Sequence, residues 1–192
     1  MKKILIPVVI VLIIIGILIA LGAYFVQRLR EKGKDLIVMD ENLTVTSTAF
    51  ENGGSMPVDY TGRGQDISPD LTLSELSSEA KTIAIIMDDL DFPIGTYNHW
   101  VIWNLPAQTE IPKAIPSGEK VDSLGGAVQG IGYGKHCYRG PLPPSGTHRY
   151  KFNVYVLDTQ LDLSSSSGKR ALSEAMQGHI LQYGSITGSF GV

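Results

Sequence analysis

One segment of the sequence joins a proline-rich loop directly to a predicted strand, and it reads 138-YRGPLPPSGTHRYKFNVYV-156. From Tyr150 to Val156, aromatic or aliphatic side chains occupy every second position, and polar Lys151 and Asn153 lie between them. Successive side chains of a strand point to opposite faces, so this alternation predicts a strand with one buried face. Loops beside such strands commonly carry functional residues. We therefore expect a β-rich domain with a site near this loop.

Three other segments are also predicted to form strands. Leu43 to Ser47 alternates apolar and hydroxyl side chains, and His99 to Leu105 contains two Trp. Thr82 to Met87 is a largely β-branched apolar run of the kind that is buried on both faces. Long Gly-rich and Pro-rich stretches separate these segments, at residues 53–69 and 118–146. Connections of this length in a compact domain usually serve a function.

The longest helix predicted in this β-rich region spans Lys169 to Gln182. Its apolar stripe runs from Leu172 to Ile180 at positions i, i+3, i+4, i+7 and i+8, and Gly184 suits a stop after the last turn. Strands separated by turns, with one helix near the C-terminus, are typical of a mainly β fold. The prediction is a β-sandwich with a peripheral C-terminal helix.

The N-terminal stretch predicts a membrane anchor. Residues 4–26 contain no charged side chain, and as a helix they would span roughly 34 Å, enough to cross the ~30 Å hydrocarbon layer. A cleaved signal peptide is the alternative, because Lys2 and Lys3 precede the stretch and Leu21 to Ala23 offers a cleavage site. We expect a single-pass membrane protein whose soluble domain lies outside the cytoplasm. The predicted organisation is a transmembrane anchor at 1–27, a linker at 28–41 and a ligand-binding domain at 42–192.

Charge and cysteine content exclude several classes of function. Residues 41–192 carry 10 Lys and Arg against 16 Asp and Glu. An acidic domain is a poor partner for nucleic acid, because the phosphate backbone requires clustered positive charge. Cys137 is the only cysteine, so neither an intrachain disulfide nor a thiolate metal cluster can form. We expect no metal and no cofactor.

Polar residues that could form a site are concentrated in three segments. The first, Asp88 to Pro93, follows the predicted buried strand, and the second, Asn98 to Trp100, begins the next strand. The third is the loop from Tyr138 to Tyr150. Each segment lies at a strand end, where side chains from separate strands can converge on one rim.

These three segments, in this order, resemble the signature of the phosphatidylethanolamine-binding (Raf kinase inhibitor-like) family, closest to its prokaryotic branch. The matching motifs are Asp-x-Asp-x-Pro at 89–93, His-Trp at 99–100 and Tyr-x-Gly-Pro-x-Pro-Pro-x-Gly-x-His-Arg-Tyr at 138–150. The likeness extends over about 43–190. It implies a Greek-key β-sandwich with a small pocket at one end that takes an anion such as phosphate or a phospholipid head group.

The resemblance also implies the residues of the pocket. Leu90 and Leu142 depart from the family pattern and put the size of the ligand in question, and Cys137 stands where prokaryotic relatives often have Gly. The implied ligand-binding residues are Asp89, Asp91, His99, Pro143, Pro144, His148 and Tyr150, with Trp100, Tyr138 and Gly140 in supporting positions.

The residues themselves agree with a polar pocket. Two nearby carboxylates would favour the protonated form of the His99 and His148 imidazoles. Cationic imidazoles can hold a phosphate. A zwitterion suits such a site, because its amine can meet an Asp while its phosphate meets the His pair. Taken singly, however, the Asp residues read as a solvated turn and the His residues as structural groups.

We expect non-catalytic ligand binding, and the resemblance adds a regulatory or inhibitory role toward a protein partner. The alternative is a hydrolase that uses Asp89, His99 and His148. Neither a G-x-S-x-G nucleophile elbow nor an H-E-x-x-H zinc helix is present, so the sequence does not favour an enzyme.

Overall fold

The computed structural model describes residues 2–32, 37, 39–133 and 135–191, with the side chains of the N-terminal helix described over 11–27. Residues 33–36 and 38 of the predicted linker 28–41 lie outside the described residues. The helices are α1 (Lys2–Lys32) and α2 (Lys169–Met176), with short 3-10 turns at Val58–Tyr60 and Asp122–Leu124. The strands are β1 (Val45–Thr46), β2 (Leu71–Leu73), β3 (Thr82–Asp89), β4 (Tyr97–Pro106), β5 (Glu110–Ile111), β6 (Lys120–Val121), β7 (Ala127–Gln129), β8 (Thr147–Leu157) and β9 (Ile180–Gly191).

Helix α1 does not qualify as a membrane span. Within the part of the chain that the structure describes, no helix is both long enough and apolar enough to cross a bilayer. The predicted single-pass localisation, with a lipid bilayer contacted through residues 4–26, is therefore wrong.

The strands form two antiparallel sheets, which confirms the mainly β prediction. The small sheet has the order β1-β2-β5, and the large sheet has the order β6-β7-β4-β3-β8-β9. All eight residues of β3 are buried. This burial explains its continuous apolar sequence, because β3 pairs with β4 on one side and β8 on the other and has a core on both faces.

Two hydrophobic clusters hold these layers together. One lies between the two sheets and includes Trp100 and Phe152. The other lies between the large sheet and α2 and includes Trp103, Leu172 and Met176. The simple alternation predicted for β8 holds only in its first half, since both of its faces are buried further along.

The predicted C-terminal helix is present but shorter than the sequence indicated. It ends at Met176, and Gly178 follows with φ of +80°, a left-handed conformation that Gly adopts freely. The chain then turns into β9, which pairs with β8 along its length. Gly184 is therefore not a helix stop: it lies within β9, where a β-carbon would collide with the carbonyl oxygen of Leu43.

The register of the large sheet brings the polar segments to one end. Asp89, the last residue of β3, pairs with Tyr97 of β4 and with Tyr150 of β8. A register shift in the β3–β4 pairing falls between Met87 and Asp88. Bulges of this kind re-aim side chains and are common beside functional sites.

Candidate ligand-binding site

A cavity of about 300 Å³ lies at this end of the large sheet. It is formed where the end of β3, the start of β4, the 142–144 loop and the start of β8 meet. These are the three segments that the sequence singled out, so their predicted convergence is present in the fold. The cavity is lined by Asp89, Phe92, Tyr97, His99, Tyr133, Leu142, Pro143, Pro144 and Tyr150.

The Asp89 carboxylate is held in place by two hydrogen bonds. His148 Nδ1 lies 2.8 Å from Asp89 Oδ2, and both side chains are buried. The backbone N–H of Asp91 donates to Asp89 Oδ1 over 2.9 Å. His148 itself is not among the described residues that line the cavity. His148 therefore contacts the cavity only through Asp89, whereas the sequence predicted that it lines the pocket itself.

His99 lines the cavity as a neutral imidazole. Its Nδ1 lies 2.7 Å from the carbonyl oxygen of Arg139, and since a carbonyl only accepts, Nδ1 must carry the proton. Burial lowers the pKa of His99 below its usual 6.5, although the Arg139 carbonyl and the charge of Asp89 act in the opposite direction. At neutral pH the ring is uncharged with Nε2 as an acceptor, which corrects the expectation that His99 is a cation.

Tyr150 is fully buried in the wall of the same cavity. Its hydroxyl has no hydrogen bond of normal geometry within the described residues. Burial raises the pKa of the phenol, and the Asp89 carboxylate raises it further, so the group remains a neutral donor. A buried hydroxyl without a partner is costly, and a ligand oxygen that accepted from it would remove that cost.

An aromatic wall completes the cavity, and sequence reasoning missed it. The ring centroids of Phe92 and Tyr97 lie 4.9 Å apart, and those of Tyr97 and Tyr133 lie 5.2 Å apart. The glycine-rich sequence around Tyr133 is typical of a flexible loop. Its glycines instead allow close approach, because a β-carbon at Gly132 would lie 2.7 Å from the Cα of Trp100.

Asp91, which was predicted to bind the ligand, is engaged elsewhere. It receives hydrogen bonds of 2.9 and 2.7 Å from Nε and Nη2 of Arg149, together with one of 2.8 Å from the Arg149 backbone. These bonds lower the pKa of Asp91. The carboxylate thus fixes the start of β8 and does not line the cavity.

The three supporting residues lie behind the cavity wall. Trp100 Nε1 donates to Gln129 over 2.8 Å, and the hydroxyl of Tyr138 donates to the carbonyl of Tyr60 over 2.6 Å. The backbone N–H of Gly140 donates to Asp66 over 2.6 Å. The last two bonds anchor the proline-rich loop to the 60–66 segment.

Metal ligation has no basis in the described part of the chain. No group of three or more His, Cys, Asp or Glu side chains is placed there to hold a metal ion.

A model of the phosphatidylethanolamine-binding protein family matches residues 46–191. The chain belongs to this family. Phosphatidylethanolamine-binding proteins typically bind ligands, small molecules and proteins among them, and are generally not enzymes. The resemblance inferred from the three motifs is therefore confirmed at the level of the family.

Among curated relatives, the UPF0098 protein of Archaeoglobus fulgidus is 44% identical over 174 residues, which are 90% of this chain and 58% of that protein. The chain thus spans little more than half the length of that relative. The UPF0098 protein of Pyrococcus horikoshii is 43% identical over 147 residues, 75% of this chain and 74% of that protein.

Two solved structures of phosphatidylethanolamine-binding proteins share the fold. The Chlamydia trachomatis homologue superposes with a TM-score of 0.71 at 32% identity, and covers 80% of this chain and 99% of its own. YbcL of Escherichia coli gives a TM-score of 0.70 at 27% identity, with 78% of this chain and 98% of its own covered.

Proposed function

We propose that the cavity binds the zwitterionic head group of a phospholipid, or the corresponding free glycerophosphodiester, without chemical turnover. The proposal rests on the Tyr150 hydroxyl, which makes no hydrogen bond of normal geometry with the described residues, and on the Asp89 carboxylate beside it, because one group donates and the other accepts. Tyr150 offers a proton to an anionic oxygen, and Asp89 accepts from a cation.

The amine half of the ligand is favoured by charge and by the aromatic wall. Among the described residues that line the cavity, none is Lys or Arg, and Asp89 is the one carboxylate. The faces of Tyr97 and Tyr133 are electron-rich and attract cations. A ligand with a positively charged amine therefore meets complementary groups, whereas a bare anion meets an unfavourable carboxylate.

The phosphate half is served by Tyr150 and His99. His99 Nε2 accepts in the neutral ring, but becomes a donor when the ring takes up a proton. A bound phosphodiester would stabilise that imidazolium, since an opposite charge within a few Å favours the charged form. Binding of the phosphate is then coupled to protonation of His99.

A hydrolase at this site would lack a Ser, Thr or Cys nucleophile among the described residues. The described residues that line the cavity include no Ser, Thr or Cys side chain for His99 to activate. The Asp89 carboxylate is already hydrogen-bonded to His148 and to the backbone of Asp91.

Regulation of a protein partner is part of the same proposal. Tyr133 and Leu142 line the cavity and are 44% and 47% exposed. A partner that covers these side chains would therefore contact a bound ligand as well.

The affinity for a phosphodiester should fall as the pH rises. The pKa of His99 lies below its usual value in the free protein and rises in the complex, so binding takes up a proton between those two pKa values. Glycerophosphoethanolamine is a suitable probe, because its phosphodiester charge is constant over this range. We expect its affinity to weaken by at most about tenfold per pH unit in this window.

Calorimetric titration in buffers of different ionisation enthalpy measures this proton uptake directly. Up to one proton per ligand is expected for the wild type and none for His99→Gln. An affinity that did not vary with pH would rule out His99 as the phosphate contact.

Replacing Asp89 by asparagine should weaken the binding of ligands that carry an amine more than the binding of ligands that do not. Glycerophosphoethanolamine and glycerophosphoglycerol carry the same phosphodiester, but only the former has an amine. For Asp89→Asn we expect glycerophosphoethanolamine to bind about ten- to a hundredfold more weakly, which corresponds to the loss of one charge-assisted hydrogen bond. Glycerophosphoglycerol should bind equally well or better, because the Asp89 carboxylate that repels its phosphodiester is gone.

Asp91→Asn is the matched control for this experiment. Asp91 lies two residues away, but its carboxylate binds Arg149 and does not line the cavity. Both ligands should therefore keep their wild-type affinity. Equal losses for the two ligands in Asp89→Asn would show that Asp89 does not bind the amine.

A further inference from the structure

A second cavity, of about 350 Å³, lies at the same end of the large sheet. It shares Phe92, Tyr97 and Tyr133 with the first cavity. Its polar side is formed on the opposite face of β3, since Asp88 and Asp89 are adjacent in the strand and their side chains alternate. The aromatic wall therefore lies between the two cavities and lines both of them.

The polar side of the second cavity is electrically neutral. Lys169, the first residue of α2, lines the cavity and its Nζ lies 2.8 Å from Asp88 Oδ2. Asn98 Nδ2 donates to the other oxygen of Asp88 over 3.1 Å. Because the ammonium and the carboxylate compensate each other, an uncharged ligand fits this environment better than an ion.

Two buried oxygen atoms in residues that line this cavity have no hydrogen bond within the described chain. They are Thr96 Oγ1 and Asn98 Oδ1. The orientation of the Asn98 amide is defined, because its nitrogen donates to the carbonyl of Met87 over 3.0 Å as well as to Asp88. Asn98 Oδ1 therefore accepts from a ligand N–H, and the Thr96 hydroxyl can donate to a ligand oxygen.

The other described side chains of the cavity are apolar. Ile94 and Ile131 line it together with the ring of Phe92. Ile131 is 36% exposed, so part of this apolar surface is still in contact with water. A small apolar group that covered it would be stabilised by burial.

From this combination, we propose that the second cavity is a ligand site for an uncharged molecule with a small apolar body and one amide group. The amide N–H donates to Asn98 Oδ1 and the amide oxygen accepts from the Thr96 hydroxyl. The apolar body packs against Ile94, Ile131 and Phe92. This site shares the aromatic wall with the phosphodiester site but uses different polar groups, on the other face of the strand.

Benzamide is a suitable probe, and benzoate is its matched control. The two have the same shape, but benzoate carries a charge and has no N–H donor. Nuclear magnetic resonance titration of the isotope-labelled full chain should shift the Asn98 side-chain amide and the Thr96 backbone amide. Benzamide should bind at least tenfold more tightly than benzoate.

Two variants test the assigned contacts. Thr96→Val removes one hydroxyl at nearly constant shape and should weaken benzamide about three- to tenfold, as expected for one neutral hydrogen bond. Ile131→Trp should fill the cavity and abolish binding of benzamide. Val58→Trp adds the same bulk at a site that is exposed and lines neither cavity, so it should change nothing.

Glycerophosphoethanolamine, titrated into the same samples, keeps the two proposals apart. It should bind Thr96→Val and Ile131→Trp with wild-type affinity. Benzamide shifts confined to His99 and Leu142, no benzamide binding, or full benzamide affinity in Ile131→Trp would each overturn the second site. None of these results would bear on phosphodiester binding.

Discussion

Replacing Tyr150 by phenylalanine is expected to weaken the binding of glycerophosphoethanolamine about ten- to a hundredfold. The hydroxyl makes no hydrogen bond of normal geometry with the described residues, so it can donate one to a charged phosphate oxygen of the ligand, worth about 1.5 to 3 kcal/mol. The fold should be as stable as before or slightly more stable, because the variant removes a buried group that lacks a hydrogen bond. Calorimetry measures the affinity, and urea unfolding measures the stability.

The matched control for this variant is Tyr138→Phe. Tyr138 is also buried, but its hydroxyl donates to the carbonyl of Tyr60 over 2.6 Å and the residue does not line the cavity. Removal of the Tyr138 hydroxyl leaves the Tyr60 carbonyl without this donor and should cost about 1 to 3 kcal/mol of stability. The affinity for the ligand should fall far less than in Tyr150→Phe, because this hydroxyl holds the loop and does not itself line the cavity. Unchanged affinity in Tyr150→Phe, with a folded protein, would remove this hydroxyl from the site.

Replacing Lys169 by methionine is expected to cost about 3 to 5 kcal/mol of stability at pH 7. Lys169 Nζ lies 2.8 Å from Asp88, and the two side chains are only 8% and 1% exposed. Without the ammonium, the Asp88 carboxylate stays buried between β3 and α2 and loses the cation that compensates its charge. Urea unfolding of the full chain gives the difference in the free energy of unfolding.

Arg170→Met is the control on the next residue of α2. Arg170 pairs with Glu174 one turn along the helix, but both side chains are more than half exposed. Pairs of this kind contribute about 0.3 to 0.5 kcal/mol, so the change should be small. A loss of less than about 1 kcal/mol in Lys169→Met would contradict the importance of the buried pair.

Four of the nine strands in the described residues could be predicted from the sequence, because burial on one or both faces leaves a local pattern. The apolar run at 82–87 and the alternation at 150–156 both lie within observed strands. The final strand could not be predicted in this way. Its start, Ile180, continues the apolar spacing of α2 by coincidence, and Gly178 ends the helix before that residue.

The candidate site was predictable in its location but not in its chemistry. Asp89, His99 and Tyr150 come together because each lies near the end of a strand, and strand ends can be recognised in sequence. The neutral state of His99 depends on its burial and on the Arg139 carbonyl, which is 40 residues away in the chain. Such contacts exist only in the folded protein.

The aromatic wall shows the same limit. Tyr133 lies in a glycine-rich segment whose sequence is typical of a flexible loop, whereas the structure has its backbone N–H bonded to the carbonyl of Asn98 over 3.0 Å. The signal that could have revealed it is Gly132, because a glycine is required where the loop contacts the backbone of Trp100.

A crystal structure of the full chain with bound glycerophosphoethanolamine tests the central proposal most directly. We expect a phosphate oxygen within hydrogen-bond distance of the Tyr150 hydroxyl and of His99 Nε2, with the amine directed at Asp89. An empty first cavity at a ligand concentration that saturates the protein in calorimetry would contradict the proposal. A phosphate placed against Asp89, with the amine turned away, would contradict it equally.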